Sequence, residues 1–185
     1  VDLKEFNEAL SCYQKTIELN PNIVSAHNNL GLLYRDMNDF DKAMDCYKKT
    51  IEIKPDHYSA HHNLGLIYKE LGQFEKSIIS HENAIKYEPH NLMNYHFLSE
   101  LKKEALTPDL KIKIKEILEN KKTKKLNLAY GNFLLSKYER KNKNYEKELT
   151  HLIKGHENFY NSNKIKFDHG NKFAFDDVHQ INQGA

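Results

Sequence analysis

The chain has 185 residues, of which 39% are hydrophobic and 29% charged, and its 28 basic and 26 acidic residues leave a formal net charge of +2. This composition is ordinary for a helical globular protein, and the near-neutral balance gives no indication of a nucleic-acid partner. No apolar run approaches the roughly 18 residues of a transmembrane helix, so no membrane association is predicted.

A pattern of glycine, aromatic and proline residues recurs at an offset of 34 positions along the first half of the chain. The segment Asn29–Tyr34 returns as Asn63–Tyr68, and both segments carry a Leu-Gly pair followed by tyrosine. Phe40–Tyr47 returns in the same way as Phe74–His81, and each copy is followed by a proline. An earlier copy is already under way when the chain begins, in Phe6, Ala9, Tyr13 and Pro21.

Each 34-residue unit predicts two amphipathic helices. Apolar residues fall at helical intervals before and after a polar turn, which is Asn38-Asp39 in one unit and Gly72-Gln73 in the next. Gly31 and Gly65 allow the paired backbones to approach, and the prolines end the second helix of each unit. A single pair is too small to bury its apolar face, so adjacent pairs must stack.

The offset and the order Leu-Gly-x-x-Tyr, Ala-x-x-x-aromatic and Pro resemble the tetratricopeptide repeat family. The resemblance implies an all-α fold, a right-handed superhelix of antiparallel helix pairs with a concave groove that binds a peptide or partner protein. We predict a solenoid over residues 1–106, made of a half repeat, two complete repeats and a degenerate one. Their ranges are 1–23, 24–57, 58–91 and from 92 onward.

The two cysteines, Cys12 and Cys46, occupy the same place in successive units. Their separation is therefore one repeat translation of about 10 Å, the usual distance between packed helices. Because a disulfide needs Cα atoms within about 7 Å, we predict free thiols on or near the packing face. Free thiols agree with a reducing, cytoplasmic location.

The repeat pattern fails after Leu106, and further helices are predicted over residues 107–161. Thr107-Pro108-Asp109 is a helix start signal, although the alternation in Lys111–Lys115 also fits a strand. The run Lys121–Lys125 is interpreted as an exposed connector, with a phosphate or acidic partner as the alternative.

From Leu126 the helical period returns and predicts a degenerate repeat. Gly131 stands where a repeat glycine would be, Tyr145 takes the place of the turn aromatic, and Arg140–Asn144 lengthen the turn between the helices. Residues 162–185 are predicted to be an irregular tail or a linker to a further domain, with at most a short helix over Phe173–Ile181.

The usual catalytic signatures are absent from the sequence, so no enzyme activity and no cofactor are predicted for this chain. His57 and His61 share a helix face, and His62 or His27 would complete a conceivable zinc site. However, His27 and His61 fall at one repeat position where the family carries a large packing residue. The histidines are therefore interpreted as structural, and no metal site is predicted.

Asn29 and Asn63 are the strongest binding candidates, because each precedes the Leu-Gly pair on the first helix of its unit. In this respect the units resemble the superhelical repeats of O-linked N-acetylglucosamine transferases, which present an asparagine ladder to substrate peptides. A side-chain amide both donates to and accepts from an extended backbone. The alternative is that each amide satisfies a neighbouring helix end. Phe97 takes the third place, where the ladder would stop or turn apolar.

Other side chains are predicted to line the same groove and to favour a peptide with mixed apolar and charged contacts. The carboxylate clamp of chaperone-binding repeats is not predicted, because Ser25, Ser59 and Phe97 stand where its lysines and arginine would be. The remaining groove residues are Ser25, Leu32, Arg35, Asp36, His62, Leu66, Lys69 and Glu70.

The segment after Leu126 resembles the linker that joins tetratricopeptide repeats to a sulfotransferase domain in certain bacterial proteins. The resemblance rests on Leu128–Gly131, Tyr145–Lys147 and Gly155–Glu157. It implies an alternative function, the substrate-presenting arm of a sulfotransferase or glycosyltransferase. The chain begins inside a repeat and shows no terminating pattern, so we predict an internal piece of a longer protein.

The sequence therefore predicts a non-catalytic module that binds a protein or peptide in a concave groove. It leaves open the identity of the partner and the oligomeric state.

Overall fold

The computed structural model describes the backbone of residues 3–167 and the side chains of residues 7–163. Over this range the regular structure is helical, which confirms the predicted all-α class. The described residues fall into two units, the first ending at Ala105 and the second beginning at Leu106. Nine α-helices and one 3₁₀ helix occur in the described range: α1 Leu3–Leu19, α2 Val24–Asp36, α3 Phe40–Ile53, α4 Tyr58–Glu70, α5 Phe74–Tyr87, α6 Leu92–Leu101, the 3₁₀ helix Lys103–Ala105, α7 Pro108–Glu119, α8 Lys125–Lys141 and α9 Tyr145–Phe167.

Side chains just outside several helices fix where those helices begin. The Asp39 carboxylate accepts a hydrogen bond from the Lys42 amide, and the Asn91 side chain accepts from the Met93 amide. Thr107 caps α7 by accepting from the Leu110 amide at 3.2 Å, with Pro108 in the first turn. The predicted helix start is thus confirmed and the strand alternative is wrong, because a capped first turn with proline favours a helix.

In the first unit the helices pack as the predicted pairs, α2 with α3 and α4 with α5. The pairs cross closely at glycine: a methyl group added at Gly31 would lie 2.7 Å from the Tyr47 ring, and one at Gly65 would lie 2.8 Å from the His81 ring. Both rings are fully buried. The glycines are therefore required for close approach, as the sequence predicts.

The turn between paired helices has one geometry in three places. Asn38, Gly72 and Lys143 all have positive φ, near 60° to 70°, and each lies two residues before the next helix. The following amide always bonds a carbonyl five residues back, at 2.8 Å for Asp39 to Tyr34 and 3.0 Å for Asn144 to Glu139. This shared turn identifies α8 and α9 as a helix pair of the same kind.

We expect Lys143→Gly to stabilise the protein, because lysine at φ 60° carries a backbone strain that glycine lacks. The expected gain is about 0.5–1 kcal/mol, a rise of about 2–4 °C in the thermal unfolding midpoint measured by circular dichroism. Lys137→Gly, in the interior of α8, is the control and lowers the midpoint. A lower midpoint for Lys143→Gly would contradict the proposed turn strain.

The shared turn corrects the predicted register of the second unit. Three residues separate α8 from α9, as they separate α2 from α3, so Arg140–Asn144 do not lengthen the turn. Counting back from the turn places Ser136, and not Gly131, at the position of Gly31. Ser136 is buried, as is Ser99 at the same place in α6. A serine is small enough for this position, which is why a search for glycine alone gave the wrong register.

Helix α9 also runs further than predicted. It continues to Phe167, six residues past the expected end at 161, so the prediction of irregular chain from 162 is wrong over this stretch. In its last turns the Ser162 and Asn163 side chains both donate to the Phe159 carbonyl, so these polar groups are accommodated within the helix. The short helix predicted over Phe173–Ile181 lies outside the described residues.

Both cysteines of the first unit are free thiols. Cys12 is exposed and Cys46 is half-buried. Burial, with a smaller contribution from the Asp45 carboxylate, raises the pKa of Cys46 to about 11, so this thiol stays protonated at neutral pH. In the part of the chain that the structure describes, none of the helices combines the length and apolarity that a bilayer span requires.

Candidate peptide-binding surface

The first helices of the repeats, α2, α4 and α6, are held at their starts by one recurring hydrogen bond. The His27 Nε2 lies 2.8 Å from the Pro21 carbonyl oxygen, and the His61 Nε2 lies 2.9 Å from that of Pro55. In the next unit Tyr95 takes the same place and donates its hydroxyl to Pro89 at 3.2 Å. Because His27 and His61 are also buried, their role is structural, as predicted.

Asn29 and Asn63 lie on these first helices and bond side chains of the neighbouring element. The Asn29 Nδ2 donates to the Tyr13 hydroxyl at 3.4 Å, and the Asn63 Oδ1 accepts from the Arg35 guanidinium at 3.1 Å. The alternative was that each amide satisfies a neighbouring helix end. In the described residues neither amide makes such a contact. The Asn29 Oδ1 also accepts from the Asn28 side-chain amide at 3.3 Å. Each amide has two N–H donors and two acceptor lone pairs, so these contacts use only part of its hydrogen-bonding capacity.

Arg35 joins α2 to the Asn63 rung on α4. Its guanidinium donates both to Asn63 on α4 and to the Asp36 carboxylate at 3.2 Å, and its side chain remains 29% exposed. One planar group thus orients the Asn63 amide and presents positive charge beside it. Asp36 and Glu70, at equivalent places in successive units, are exposed. The surface therefore carries both signs of charge at its edge.

Lys69 occupies the place of Arg35 in the following unit and reaches α6. Its ammonium is ion-paired with Glu100, whose other oxygen lies 3.2 Å from the His96 Nε2. The same ammonium lies 5.4 Å from the centre of the Phe97 ring, a cation–π distance. The third position of the ladder is thus aromatic, with positive charge above the ring.

The remaining predicted residues differ in accessibility. Ser25 is exposed, and Leu66 is half-buried. Leu32 is half-buried and packs against the core formed by Ala43, Tyr47, Ala60, Leu64 and Ile67. His62 is buried, and Asn63 is 6% exposed. The structure thus brings Asn29, Arg35, Asn63 and Lys69 onto adjacent helices, with less of the Asn63 amide at the surface than the sequence suggests.

One buried polar contact was missed by sequence reasoning. The His62 Nδ1 lies 2.7 Å from the Asn94 Oδ1, and the His81 Nδ1 lies 3.3 Å from the same oxygen. The offset of 34 contains the signal, because Asn94 stands where Ala26 and Ala60 are buried in the earlier units. His81 likewise replaces the aromatic residue of the preceding unit, and these two exceptions to the repeat meet.

The histidines considered for metal binding are used otherwise. His57 caps α4, its Nδ1 accepting from the Ala60 amide at 3.3 Å, and His61 is engaged with Pro55. Among residues 7–163 there is no group of three or more His, Cys, Asp or Glu side chains placed to hold a metal ion.

The second unit places its charges differently. The Glu139 carboxylate is buried and accepts from the Lys111 ammonium at 2.7 Å and from the Asn144 amide at 2.8 Å. The hydrogen bonds from Lys111 and then from Asn144 hold the pKa of Glu139 below its usual value. Lys121 and Lys122 are exposed in the turn between α7 and α8, consistent with a connector.

Comparison with family models gives repeat families over residues 1–79. Residues 24–57 and 46–79 each match a family model described as "Tetratricopeptide repeat", and residues 1–38 match one described as "TPR repeat". No curated protein sequence matches significantly. These matches do not test the sulfotransferase resemblance, which stays a prediction.

Solved structures show the same fold. The structure titled "Crystal structure of MamA" is 16% identical, with a TM-score of 0.58, over 89% of this chain and 98% of that one. "Crystal structure of YrrB: a TPR protein with an unusual peptide-binding site" is 16% identical, with a TM-score of 0.57, over 84% and 82% of the two chains. At these identities the likeness shows the fold alone.

Proposed function

This chain belongs to the tetratricopeptide repeat family through residues 1–79, and from that premise we propose that its first unit is a non-catalytic module that binds an extended peptide across α2, α4 and α6. The observation that carries the proposal is the pair of side-chain amides at Asn29 and Asn63. Both lie at the same position of adjacent first helices, and both retain hydrogen-bonding capacity.

The spacing of the rungs suits an extended chain. Adjacent packed helices lie about 8–10 Å apart, and an extended peptide advances about 3.3 Å per residue. Every third residue of the peptide would therefore lie beside a rung. Asn29 and Asn63 would bond the peptide backbone, and the next interval would bring a side chain to Phe97. An apolar or aromatic peptide side chain fits there.

The charges beside the rungs limit the peptide further. Arg35 and Lys69 are partly exposed on the same helices, and Asp36 and Glu70 are exposed next to them. A peptide with one acidic residue between apolar ones would complement this arrangement better than a uniformly charged one. YrrB, which shares the fold, is described as having a peptide-binding site. That description supports a peptide as the partner class for this chain.

The test is the affinity of selected peptides for an asparagine double variant. Random peptides of about twelve residues, displayed on phage, are selected against the immobilised chain at neutral pH, and affinities are measured by fluorescence anisotropy. Asn29→Ala with Asn63→Ala should weaken binding about 5-fold to 100-fold, since each lost hydrogen bond costs about 0.5–1.5 kcal/mol.

The matched control is Asn83→Ala, which removes the same side-chain amide from α5, the second helix of its pair. It should leave affinity unchanged. Unaltered binding by the double variant, or an equal loss in the control, would refute the asparagine rungs. Failure to enrich any peptide would refute the peptide groove itself.

A further inference from the structure

A buried polar cluster lies directly behind the proposed groove, formed by His62 of α4, His81 of α5 and Asn94 of α6; we name it the imidazole cluster. Both imidazoles point their Nδ1 at one atom, the Asn94 Oδ1, at 2.7 and 3.3 Å. His81 and Asn94 are completely buried, and His62 is 8% exposed. The cluster joins three helices and adjoins Asn63 in sequence.

The hydrogen-bond arrangement suits neutral imidazoles. If each Nδ1 carries the proton, both rings donate to the Asn94 oxygen, which has two lone pairs. The His81 Nε2 and the Asn94 Nδ2 are buried with no hydrogen-bond partner among the described residues. A second proton on His81 would therefore place a positive charge where no described acceptor can bind it.

Aromatic packing closes the cluster. The Phe97 ring stacks on His81, with ring centres 5.5 Å apart and planes at 11°, and lies 5.6 Å from His62. His81 also packs on Gly65, where Tyr47 packs on Gly31 in the preceding unit. The neutral ring of His81 thus packs on glycine as the Tyr47 ring does in the preceding unit. Protonation would give the ring a positive charge, which is unfavourable in this apolar contact.

Charged groups face the cluster from each packed element. Arg35 of α2 and Lys69 of α4 bring positive charge, and Glu100 of α6 brings negative charge that Lys69 and His96 already engage. On α5, Glu82 pairs with Lys102 at the exposed surface. Burial, then the neighbouring His62, lowers the pKa of His81 to about 4, and burial also lowers the pKa of His62.

We propose that the imidazole cluster is a proton-sensitive lock on the α4–α6 contact, so that the peptide groove is formed when both rings are neutral and loosens in mild acid. The inference rests on the proposed function for its biological meaning, because Asn63 and Phe97 belong to the elements that would move. Its structural content, the loss of α4–α6 packing on protonation, stands without a bound peptide.

The direction of the change in stability with pH follows from the lowered pKa values of the two imidazoles. An imidazole whose pKa is lower in the folded than in the unfolded state contributes stability above pH 6.5, and that contribution is lost as the pH falls toward 4. For His81 alone, the equilibrium constant for folding of its element should fall about 30-fold between neutral pH and pH 5. His62 adds to the loss in the same direction.

Hydrogen–deuterium exchange of the full chain tests the lock without any peptide. Exchange is measured at pH 7.5 and pH 5 and corrected for the intrinsic pH dependence of amide exchange. Protection of α4 and α6 should fall about tenfold or more at pH 5, while α2 and α3 change less. Equal changes in all four helices, or none, would overturn the proposal.

His81→Phe is the informative variant, since phenylalanine can pack on Gly65 without titrating. It should lose clearly less protection of α4 and α6 at pH 5 than the unaltered chain, with the remaining loss due to His62, whereas His90→Gln, in an exposed loop, should behave as the unaltered chain. An acid effect in His81→Phe as large as that in the unaltered chain would contradict the lock. If that variant fails to fold, NMR titration of the imidazoles in the unaltered chain decides, and two normal titrations would overturn the proposal.

Peptides selected at pH 7.5 separate this inference from the proposed function. Their failure to bind at any pH would refute the groove and leave the exchange result intact. If they bind at pH 7.5, release at pH 5 should occur with the unaltered chain and be weaker with His81→Phe. Equal release from both chains would contradict control of the groove by the cluster.

Discussion

Tyr47→Ala should destabilise the first unit by about 3–5 kcal/mol, the usual cost of removing a fully buried aromatic side chain. The Tyr47 ring is completely buried, contacts Gly31 at the crossing of α2 and α3, and belongs to the core that joins this pair to α4. Its loss leaves a cavity on both sides of the crossing. The measurement is the free energy of unfolding in urea, followed by circular dichroism.

Tyr47→Phe is the matched variant and should be neutral or stabilising. The Tyr47 hydroxyl is buried with no hydrogen-bond partner among the described residues, and burial raises the pKa of this phenol. Removing an unsatisfied buried hydroxyl relieves a desolvation cost of about 1–3 kcal/mol. A large loss in Tyr47→Phe would show that the hydroxyl has a partner, and a small loss in Tyr47→Ala would contradict the crossing.

Gly155→Val should destabilise the second unit by about 2–3 kcal/mol through overpacking. A Cβ at Gly155 would lie 2.5 Å from the Phe133 Cε1 and 2.6 Å from its Cδ1, so the ring must move. That ring also contacts His156 and Phe159 on α9, which limits where it can go. Urea unfolding of the full chain gives the effect.

Lys154→Val controls for the cost of valine in α9, because Lys154 is exposed one position away. It should change the free energy of unfolding by less than about 1 kcal/mol. If Gly155→Val costs no more than this control, the close approach of α8 and α9 at Gly155 is wrong.

The offset of 34 was enough to predict the helix pairs of the first unit and the glycines at their crossings. This succeeded because the crossing needs a small residue, and in the first unit that residue is glycine, which is recognisable in sequence. The second unit shows where that reasoning ends. Ser136 is the small residue at the crossing position there, and the turn at Lys143 sets the register. The prediction chose Gly131 because it is a glycine, and its register was therefore wrong.

The candidate site was predicted in its positions and less well in its surroundings. The period places Asn29 and Asn63 on equivalent faces, but it says nothing of how closely α4 and α6 approach. That approach places His62 against Asn94 and Phe97 of α6, and both His62 and Asn63 are buried. The contact of His62 with Asn94 joins residues 32 positions apart. Asn94 and His81 both depart from the repeat pattern, and the pattern alone does not show that their side chains meet.

The most direct test of the groove is an NMR experiment on the full chain with a peptide selected at neutral pH. The side-chain NH₂ signals of Asn29 and Asn63 should shift on binding, together with amides of α2, α4 and α6, while those of α3 and α5 change little. Shifts concentrated on α3 and α5, or on residues 106–163, with both asparagine signals unmoved, would contradict a peptide groove on the first helices.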